Sequence, residues 1–334
     1  MKILFAGDDW LGSNARSLAE GFRQAGHEVV VVDTTPVTLP PRWTPSWTYA
    51  KVAGRRAPHS VDAVHTRLER AAAQLRPDVL FAFKSVYLDQ DRLLNIPAAL
   101  RVHYSPDDVS NPYNTTPDYL ANEARWDLVV TTKRHNVEEL TARGAQRVLY
   151  VRSAYDPAWH RPSARRGSRR YLVGFIGVER PDRSPAVVSL ARTHGARMLV
   201  SGPGWRKNSA LRATRAQIGD GAFGEQFSIT VASITANLVL LNSDNRDTHT
   251  CRSFEVPAAG GLFVGQRTDE HAELLADGTE CLLFSSAEEL DEILGWCADH
   301  PEAADAMAMA GHRRIAAGGH RYLDRAREII DVLG

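Results

Sequence analysis

Residues 241–261, LNSDNRDTHTCRSFEVPAAGG, have the types and spacing that best suit binding chemistry. A strand is predicted before this segment and a short helix from Ser253 to Ala259, so backbone N–H groups at the helix start would suit a phosphate. Arg252 and Ser253 add donors there, and the carboxylate of Glu255 could accept two sugar hydroxyls. Seven residues separate Asp247 from Glu255. The alternative is that Glu255 is a surface carboxylate and Ser253 an ordinary cap.

A second candidate is the loop Gly7–Gly12 (GDDWLG), which lies between a predicted strand, Lys2–Ala6, and a predicted helix, Ala15–Gln24. The loop lacks the G-x-G-x-x-G pattern. Dinucleotide binding is therefore only weakly indicated, although Asp33 lies about twenty residues further on. A tight strand-to-helix turn is the alternative interpretation.

Another predicted strand, Ala98–His103, brings polar residues to its end. The imidazole of His103 could contact a sugar, and Asp107 or Asp108 could position or deprotonate a hydroxyl group. A lone histidine is more often structural or solvated, so both interpretations stay open.

The stretch Thr34–Ser60 contains five prolines with Trp43, Trp47 and Tyr49 between them. Its length and composition predict an irregular functional loop. The aromatic faces could stack on a sugar ring or a planar molecule. Alternatively, they pack the loop onto its own domain.

Strand and helix patterns alternate on both sides of Asp156–Arg170, a segment rich in proline and arginine that is the best linker candidate. This alternation predicts parallel sheets of the α/β class, and 334 residues suit two domains. Two such domains would place a cleft between them. Ligands of parallel sheets bind at the carboxyl ends of the strands, where the candidate loops lie.

Composition restricts the function classes. The 40 Lys and Arg balance the 40 Asp and Glu, which argues against a dedicated nucleic-acid binder. Three cysteines without a C-x-x-C pair fit a reducing compartment. The apolar run at the N-terminus is short and ends at Asp8 and Asp9, so it does not resemble a signal peptide. No apolar stretch of the sequence is long enough to span a membrane. We therefore expect a cytoplasmic protein.

Metal and nucleophile motifs are weak. His249 and Cys251 are close in sequence, but no further ligand has suitable spacing. No Asp-x-Asp motif or G-x-S-x-G elbow occurs. The sequence therefore predicts neither a metal site nor a bound cofactor.

Several segments, in order, resemble spore-maturation (CgeB-like) glycosyltransferases, which are GT-B enzymes of the group-1, mostly retaining, class. The most specific one is RSFEVPAAGG at residues 252–261, followed by RTDEH at 267–271. The others span nearly the whole chain: residues 1–29, DVLFAFK (78–84), YSPDD (104–108), DLVVTTKRHN (127–136), YDPAWHRP (155–162), GFIGVERPDR (174–183) and SGPGW (201–205).

The resemblance implies a GT-B architecture with two Rossmann-like domains facing across a cleft. Residues 1–160 would form the acceptor domain and 168–318 the domain that binds the nucleotide sugar. Residues 319–334 would form a helix that crosses back to the first domain. A nucleotide-sugar donor and an acceptor would be the partners, and whether the chain forms a homodimer stays open.

The resemblance also implies roles for individual residues. Glu255 corresponds to the second acid of an E-x7-E pattern, which holds the ribose, and Asp247 replaces the first glutamate. The donor-binding residues would be Gly12, Arg183, Lys207, Arg252, Ser253, Glu255, Asp269 and Glu270. The catalytic candidates are Asp247, His103 and Asp108, and those for the acceptor are Asp9, Trp43 and Trp47.

The predicted activity is transfer of a sugar from a nucleotide-diphosphate sugar, with UDP favoured over GDP, to a hydroxyl-bearing acceptor. Cations and helix N–H groups would stabilise the leaving diphosphate without a metal. One alternative is a nucleotide-sugar epimerase or hydrolase on the same fold. Another is a non-catalytic GT-B-like binding module, and an enzyme acting on modified DNA is disfavoured by the zero net charge.

Overall fold

The computed structural model describes residues 1–163 and 169–334, so Arg165 and Arg166 of the predicted linker lie outside the described residues. The chain divides into two compact units. The first contains Met1–Arg152 together with Tyr322–Gly334, and the second contains Ser153–Arg321.

The first unit has a six-stranded sheet in the order β2-β1-β3-β4-β5-β6, in which every pair is parallel. Its elements are β1 (Lys2–Gly7), α1 (Asn14–Gln24), β2 (Glu28–Asp33), α2 (Thr35–Thr38), α3 (Pro45–Ala53), α4 (Pro58–Leu75), β3 (Val79–Phe83), α5 (Gln90–Leu94), β4 (Leu100–Ser105), α6 (Pro117–Asn122), β5 (Leu128–Thr131), α7 (Arg134–Ala142) and β6 (Val148–Tyr150).

The second unit has another six-stranded parallel sheet, in the order β12-β11-β10-β7-β8-β9. Its elements are β7 (Tyr171–Ile176), α8 (Ser184–His194), β8 (Met198–Ser201), α9 (Ser209–Arg212), β9 (Gln217–Gly219), α10 (Glu225–Ala232), β10 (Ile234–Val239), α11 (Arg252–Ala258), β11 (Leu262–Gln266), α12 (Asp269–Leu274), β12 (Leu282–Phe284), α13 (Ala287–Asp299) and α14 (Pro301–Ala317).

The last helix, α15 (Tyr322–Leu333), packs on α1 in the first unit. A Cβ built on Gly21 would lie 2.6 Å from the carbonyl oxygen of Tyr322, so only glycine permits this approach of the two helices. The sheet-facing side of α1 buries Ala15, Leu18, Ala19 and Phe22, which confirms the helical spacing predicted for them.

The central strands are apolar on both faces because helices cover both sides of a parallel sheet. All five residues of β3 are buried, and the ring of Phe81 stacks on Phe5 at 5.0 Å and meets Phe22 edge-on at 5.1 Å. In the second unit all six residues of β10 are buried, and Phe175 contacts Trp205 edge-on at 5.9 Å.

The prediction of one irregular stretch over residues 34–60 is wrong, because α2 and α3 lie within it. Three of the prolines, Pro36, Pro45 and Pro58, lie in the first turn of a helix, where the missing N–H has no intrahelical partner to lose. Thr44 caps α3 by accepting a hydrogen bond from the backbone of Trp47 at 3.2 Å.

Candidate active site

In the second unit the loops after β7 and β10 meet at the point where the strand order reverses. The carboxylate of Asp182 accepts hydrogen bonds from the backbone N–H and the hydroxyl of Ser243, each at 3.0 Å. Arg183 donates to the carbonyl of Leu240 at 3.4 Å. Ligands of open parallel sheets bind at this topological switch point.

Both positively and negatively charged side chains surround Arg183 at this switch point. Burial lowers the pKa of its guanidinium, Arg180 and Arg252 lower it further, and Asp182 and Asp247 oppose the change. The structure therefore places Arg183 and Arg252, which are donor-site candidates, near Asp247, which is a catalytic candidate. Three arginines near one switch point suit a diphosphate.

Glu255 lies one turn inside α11 and is 4% exposed. Its carboxylate pairs with the guanidinium of Arg252, three residues earlier. Arg252 Nε also donates to the carbonyl of Ile176 at 3.2 Å, which links α11 to the end of β7. His160 Nε2 lies 3.8 Å from Glu255 Oε1, and burial lowers the pKa of this imidazole although Glu255 opposes the shift.

Asp247 organises the loop after β10. One carboxylate oxygen accepts from the backbone N–H of Asn242 at 3.2 Å, and the other accepts from Nδ2 of Asn245 at 2.8 Å. These bonds are local, so they fix the loop conformation beside Arg183.

A buried histidine–glutamate pair connects the same loop to α12. Nδ1 of His249 lies 2.7 Å from Oε2 of Glu270, and the two side chains are 1% and 4% exposed. The backbone N–H of Ser153 donates to the opposite nitrogen, Nε2, at 3.0 Å. Nε2 is therefore the acceptor, so the proton sits on Nδ1 and is donated to Glu270. Sequence reasoning did not assign His249 to this role.

His271 makes a second connection, also missed from the sequence. Its Nδ1 donates to the carbonyl of Gln266 at 2.7 Å, so its Nε2 accepts the hydroxyl proton of Ser253 at 2.8 Å. Burial lowers the pKa of His271 to about 4, although the hydrogen bond that its Nδ1 donates to the carbonyl of Gln266 opposes the shift. Ser253 is thus anchored to α12 at the start of α11. Its hydroxyl also accepts from the N–H of Thr250 at 3.1 Å.

The remaining donor candidates of this unit lie on neighbouring loops. Asp269 is exposed in the first turn of α12, and Lys207 is exposed after β8. In the β8 loop, a Cβ on Gly202 would lie 1.9 Å from the carbonyl oxygen of Gly177, so glycine lets the β7 and β8 loops touch.

In the first unit the loop after β1 is tied to the segment after β2. Asp8 Oδ1 accepts hydroxyl protons from Thr34 at 2.7 Å and Thr38 at 2.6 Å. The backbone N–H of Asp9, an exposed residue, donates to Asp33 at 3.1 Å. Gly12 is exposed in the same loop.

The structure does not support direct roles for His103 and Asp108. His103 lies inside β4 rather than at its end, is fully buried beside Tyr119 and Trp126, and burial lowers its pKa to about 3. Asp108 is 1% exposed and accepts from Asn136 Nδ2 at 2.9 Å. Both side chains are therefore placed for structural hydrogen bonding.

The neighbouring Asp107 has a different environment. It is partly exposed and pairs with Nζ of Lys84, the residue that follows β3. Burial lowers the pKa of Lys84, but the pairing with Asp107 outweighs it and the pKa is raised. Asp107 follows β4, so the pair lies at the carboxyl ends of the adjacent strands β3 and β4.

The two tryptophans proposed for the acceptor contact each other. Their ring centroids are 5.1 Å apart, and Trp43 is 84% exposed whereas Trp47 is half-buried. Exposed aromatic surface is thus available at residues 43–47.

Within residues 1–163 and 169–334, no group of three or more His, Cys, Asp or Glu is arranged to hold a metal ion. None of the described helices combines the length and the apolar character that a bilayer crossing requires.

Comparison with solved structures establishes the fold. Sucrose-phosphate synthase from Thermosynechococcus elongatus superimposes with a TM-score of 0.71 at 12% identity, over 100% of this chain and 98% of that one. Residues 183–331 match the family model described as glycosyl transferase-like. The chain therefore has the GT-B fold.

Other solved structures are also similar to this chain over its full length. Anabaena HepE in complex with UDP-glucose gives a TM-score of 0.68 at 13% identity, covering 100% of this chain and 99% of that one. A putative UDP-N-acetylglucosamine 2-epimerase from Listeria monocytogenes gives 0.56 at 13% identity, covering 99% and 95%. No curated protein matches this chain in sequence.

Proposed function

We propose that this chain is a glycosyltransferase of the spore-maturation (CgeB-like) type, which transfers a sugar from a nucleotide-diphosphate sugar held by the second unit to a hydroxyl-bearing acceptor. UDP is favoured over GDP. The observation that carries the proposal is the cluster of Arg183, Arg252 and Glu255 at the switch point of the second sheet. It combines cations for a diphosphate with a carboxylate for ribose hydroxyls.

In the proposed mechanism, the guanidinium groups stabilise the negative charge that develops on the diphosphate as the glycosidic bond breaks. Glu255 turns from Arg252 to the ribose when the nucleotide binds. Lys207, Ser253, Asp269 and Glu270 complete the donor site of the second unit, and Asp247 holds the loop beside it. Fixed cations supply the charge neutralisation that a divalent metal provides in other sugar transferases, so no metal is required.

On the acceptor side, we propose Asp9 and the Trp43–Trp47 pair. The leaving phosphate takes the acceptor proton, which is compatible with retention of the anomeric configuration and needs no strong protein base. His103 and Asp108 are left out of this step because both are buried.

The experiment is a measurement of UDP release from several UDP-sugars with EDTA present, with and without a panel of hydroxyl-bearing acceptors. Acceptor-dependent release with a glycosylated product identified by mass spectrometry supports transfer. Equal release without acceptor would instead support the hydrolase alternative, and isomerised donor the epimerase. The anomeric coupling constant of the product tests retention.

A further inference from the structure

A surface formed by residues 39–56 exposes large apolar side chains. Trp43 and Val52 are each 84% exposed, and Leu39 is 57% exposed. Helix α3, which forms half of this surface, has no buried residue. Exposed apolar side chains this close together in sequence favour a binding surface.

The same surface is positively charged. No Asp or Glu occurs between Asp33 and Asp62, whereas this interval contains four basic residues, Arg42, Lys51, Arg55 and Arg56. The two flanking carboxylates are engaged: Asp33 accepts from the N–H of Thr35 at 2.9 Å, and Asp62 pairs with Arg92 at 2.8 Å. Since the chain has zero net charge, the positive potential here is local.

The surface is held in place by the neighbouring segments. Asp8 fixes α2 through Thr34 and Thr38, and Thr44 caps α3. At its end, Arg56 lies over the ring of Tyr87 at 4.1 Å. The exposed side chains are therefore presented from an ordered backbone.

We propose that the surface of residues 39–56 binds the anionic face of a lipid membrane. Basic side chains would meet the lipid phosphates, while Trp43, Val52 and Leu39 enter the headgroup–acyl boundary. The acceptor site proposed at the Trp43–Trp47 pair does not account for Val52 and Leu39, which project into solvent rather than line the concave site that a small molecule needs. Single-stranded nucleic acid would use aromatic stacking, which the aliphatic Val52 and Leu39 do not supply. The proposal does not depend on the donor site.

The test is flotation of the full chain with vesicles of phosphatidylcholine alone and with a quarter phosphatidylglycerol, at low and high salt. We expect binding only to the anionic vesicles, weakened by salt. Each basic residue near an anionic surface contributes about fivefold in affinity. Lys51→Gln with Arg55→Gln should therefore reduce binding on the order of 25-fold, and Val52→Ser should reduce it at unchanged charge.

The matched control is Arg192→Gln with Arg197→Gln, two exposed arginines of the second unit that change the net charge equally. Val178→Ser, which is 50% exposed, is the control for Val52→Ser. Control variants that keep wild-type binding support the proposal. Equal binding to both vesicle types, equal loss in both pairs of variants, or no vesicle binding together with patch-dependent binding of an oligonucleotide would overturn it. Circular dichroism confirms that each variant is folded.

Discussion

His249 donates its Nδ1 proton to Glu270 over 2.7 Å while the backbone of Ser153 donates to its other nitrogen. The pair joins the loop after β10, which contains Asp247, to α12, which contains the proposed donor residues Asp269 and Glu270. We therefore propose that His249 is a positioning residue, which keeps the buried carboxylate of Glu270 in place in the donor site.

Two substitutions of His249 test the contribution of its hydrogen bond to Glu270. His249→Asn retains a donor toward Glu270, whereas His249→Phe removes it and leaves a buried carboxylate with one hydrogen bond fewer. We expect His249→Phe to lower the free energy of unfolding by about 1–3 kcal/mol and to raise KM for the donor. Urea denaturation and donor kinetics measure both. His249→Asn should recover much of the lost donor binding; failure of Asn to do better than Phe would contradict the positioning role.

The burial of His103 predicts that the free energy of unfolding depends on pH. Burial lowers its pKa in the folded protein to about 3, against the ordinary value of 6.5, so the unfolded chain binds the extra proton between these values. The contribution of His103 to the free energy of unfolding is complete above pH 6.5. It is lost as the pH falls toward 3, by up to about 1.4 kcal/mol per pH unit. His103→Phe should make the free energy of unfolding fall less steeply below pH 6.5. The exposed His59, changed to Asn, should leave the slope unchanged; an unchanged slope in His103→Phe would contradict the assigned burial.

Two glycine substitutions should act in opposite directions. Gly202→Ala places a Cβ 1.9 Å from the carbonyl oxygen of Gly177, so the β7 and β8 loops must separate. We expect a loss of about 3 kcal/mol or more in the free energy of unfolding. Gly295→Ala lies in α13 with no atom within 4 Å of the new Cβ, and should stabilise by about 0.5–1 kcal/mol. Thermal and urea unfolding compare them, and equal effects would contradict the close loop approach.

Local patterns of the sequence predicted much of the fold. The spacing of Leu18 and Phe22 indicated α1, and the apolar run of residues 78–83 indicated β3, because burial leaves a direct trace in residue type. Helix α3 was missed because Pro45 was interpreted as a loop residue, although a proline in the first helical turn is favourable. The short α12 was not predicted, because its six residues carry little periodicity.

The arrangement of the site residues was harder to predict from the sequence, because it depends on contacts between distant segments of the chain. Arg252 and Glu255 are three residues apart on one helix, so their proximity could be expected. Two pairings depend on how the loop after β10 and helix α11 pack against α12, and no local sequence pattern predicts such packing. These are the pairing of His249 with Glu270 and that of Ser253 with His271. Similarly, the sequence did not show that His103 is enclosed by Tyr119 and Trp126.

The most direct test of the donor site is a thermal-shift titration with UDP, GDP, ADP, TDP and CDP, in the presence of EDTA. A ligand that binds only the folded state raises the midpoint with its concentration. We expect the largest shift of the midpoint with UDP. This shift should be lost in Glu255→Gln. It should be retained in Glu288→Gln, which changes an exposed residue in the first turn of α13. No shift with any nucleotide, with or without magnesium, or an equal shift in Glu255→Gln, would contradict it.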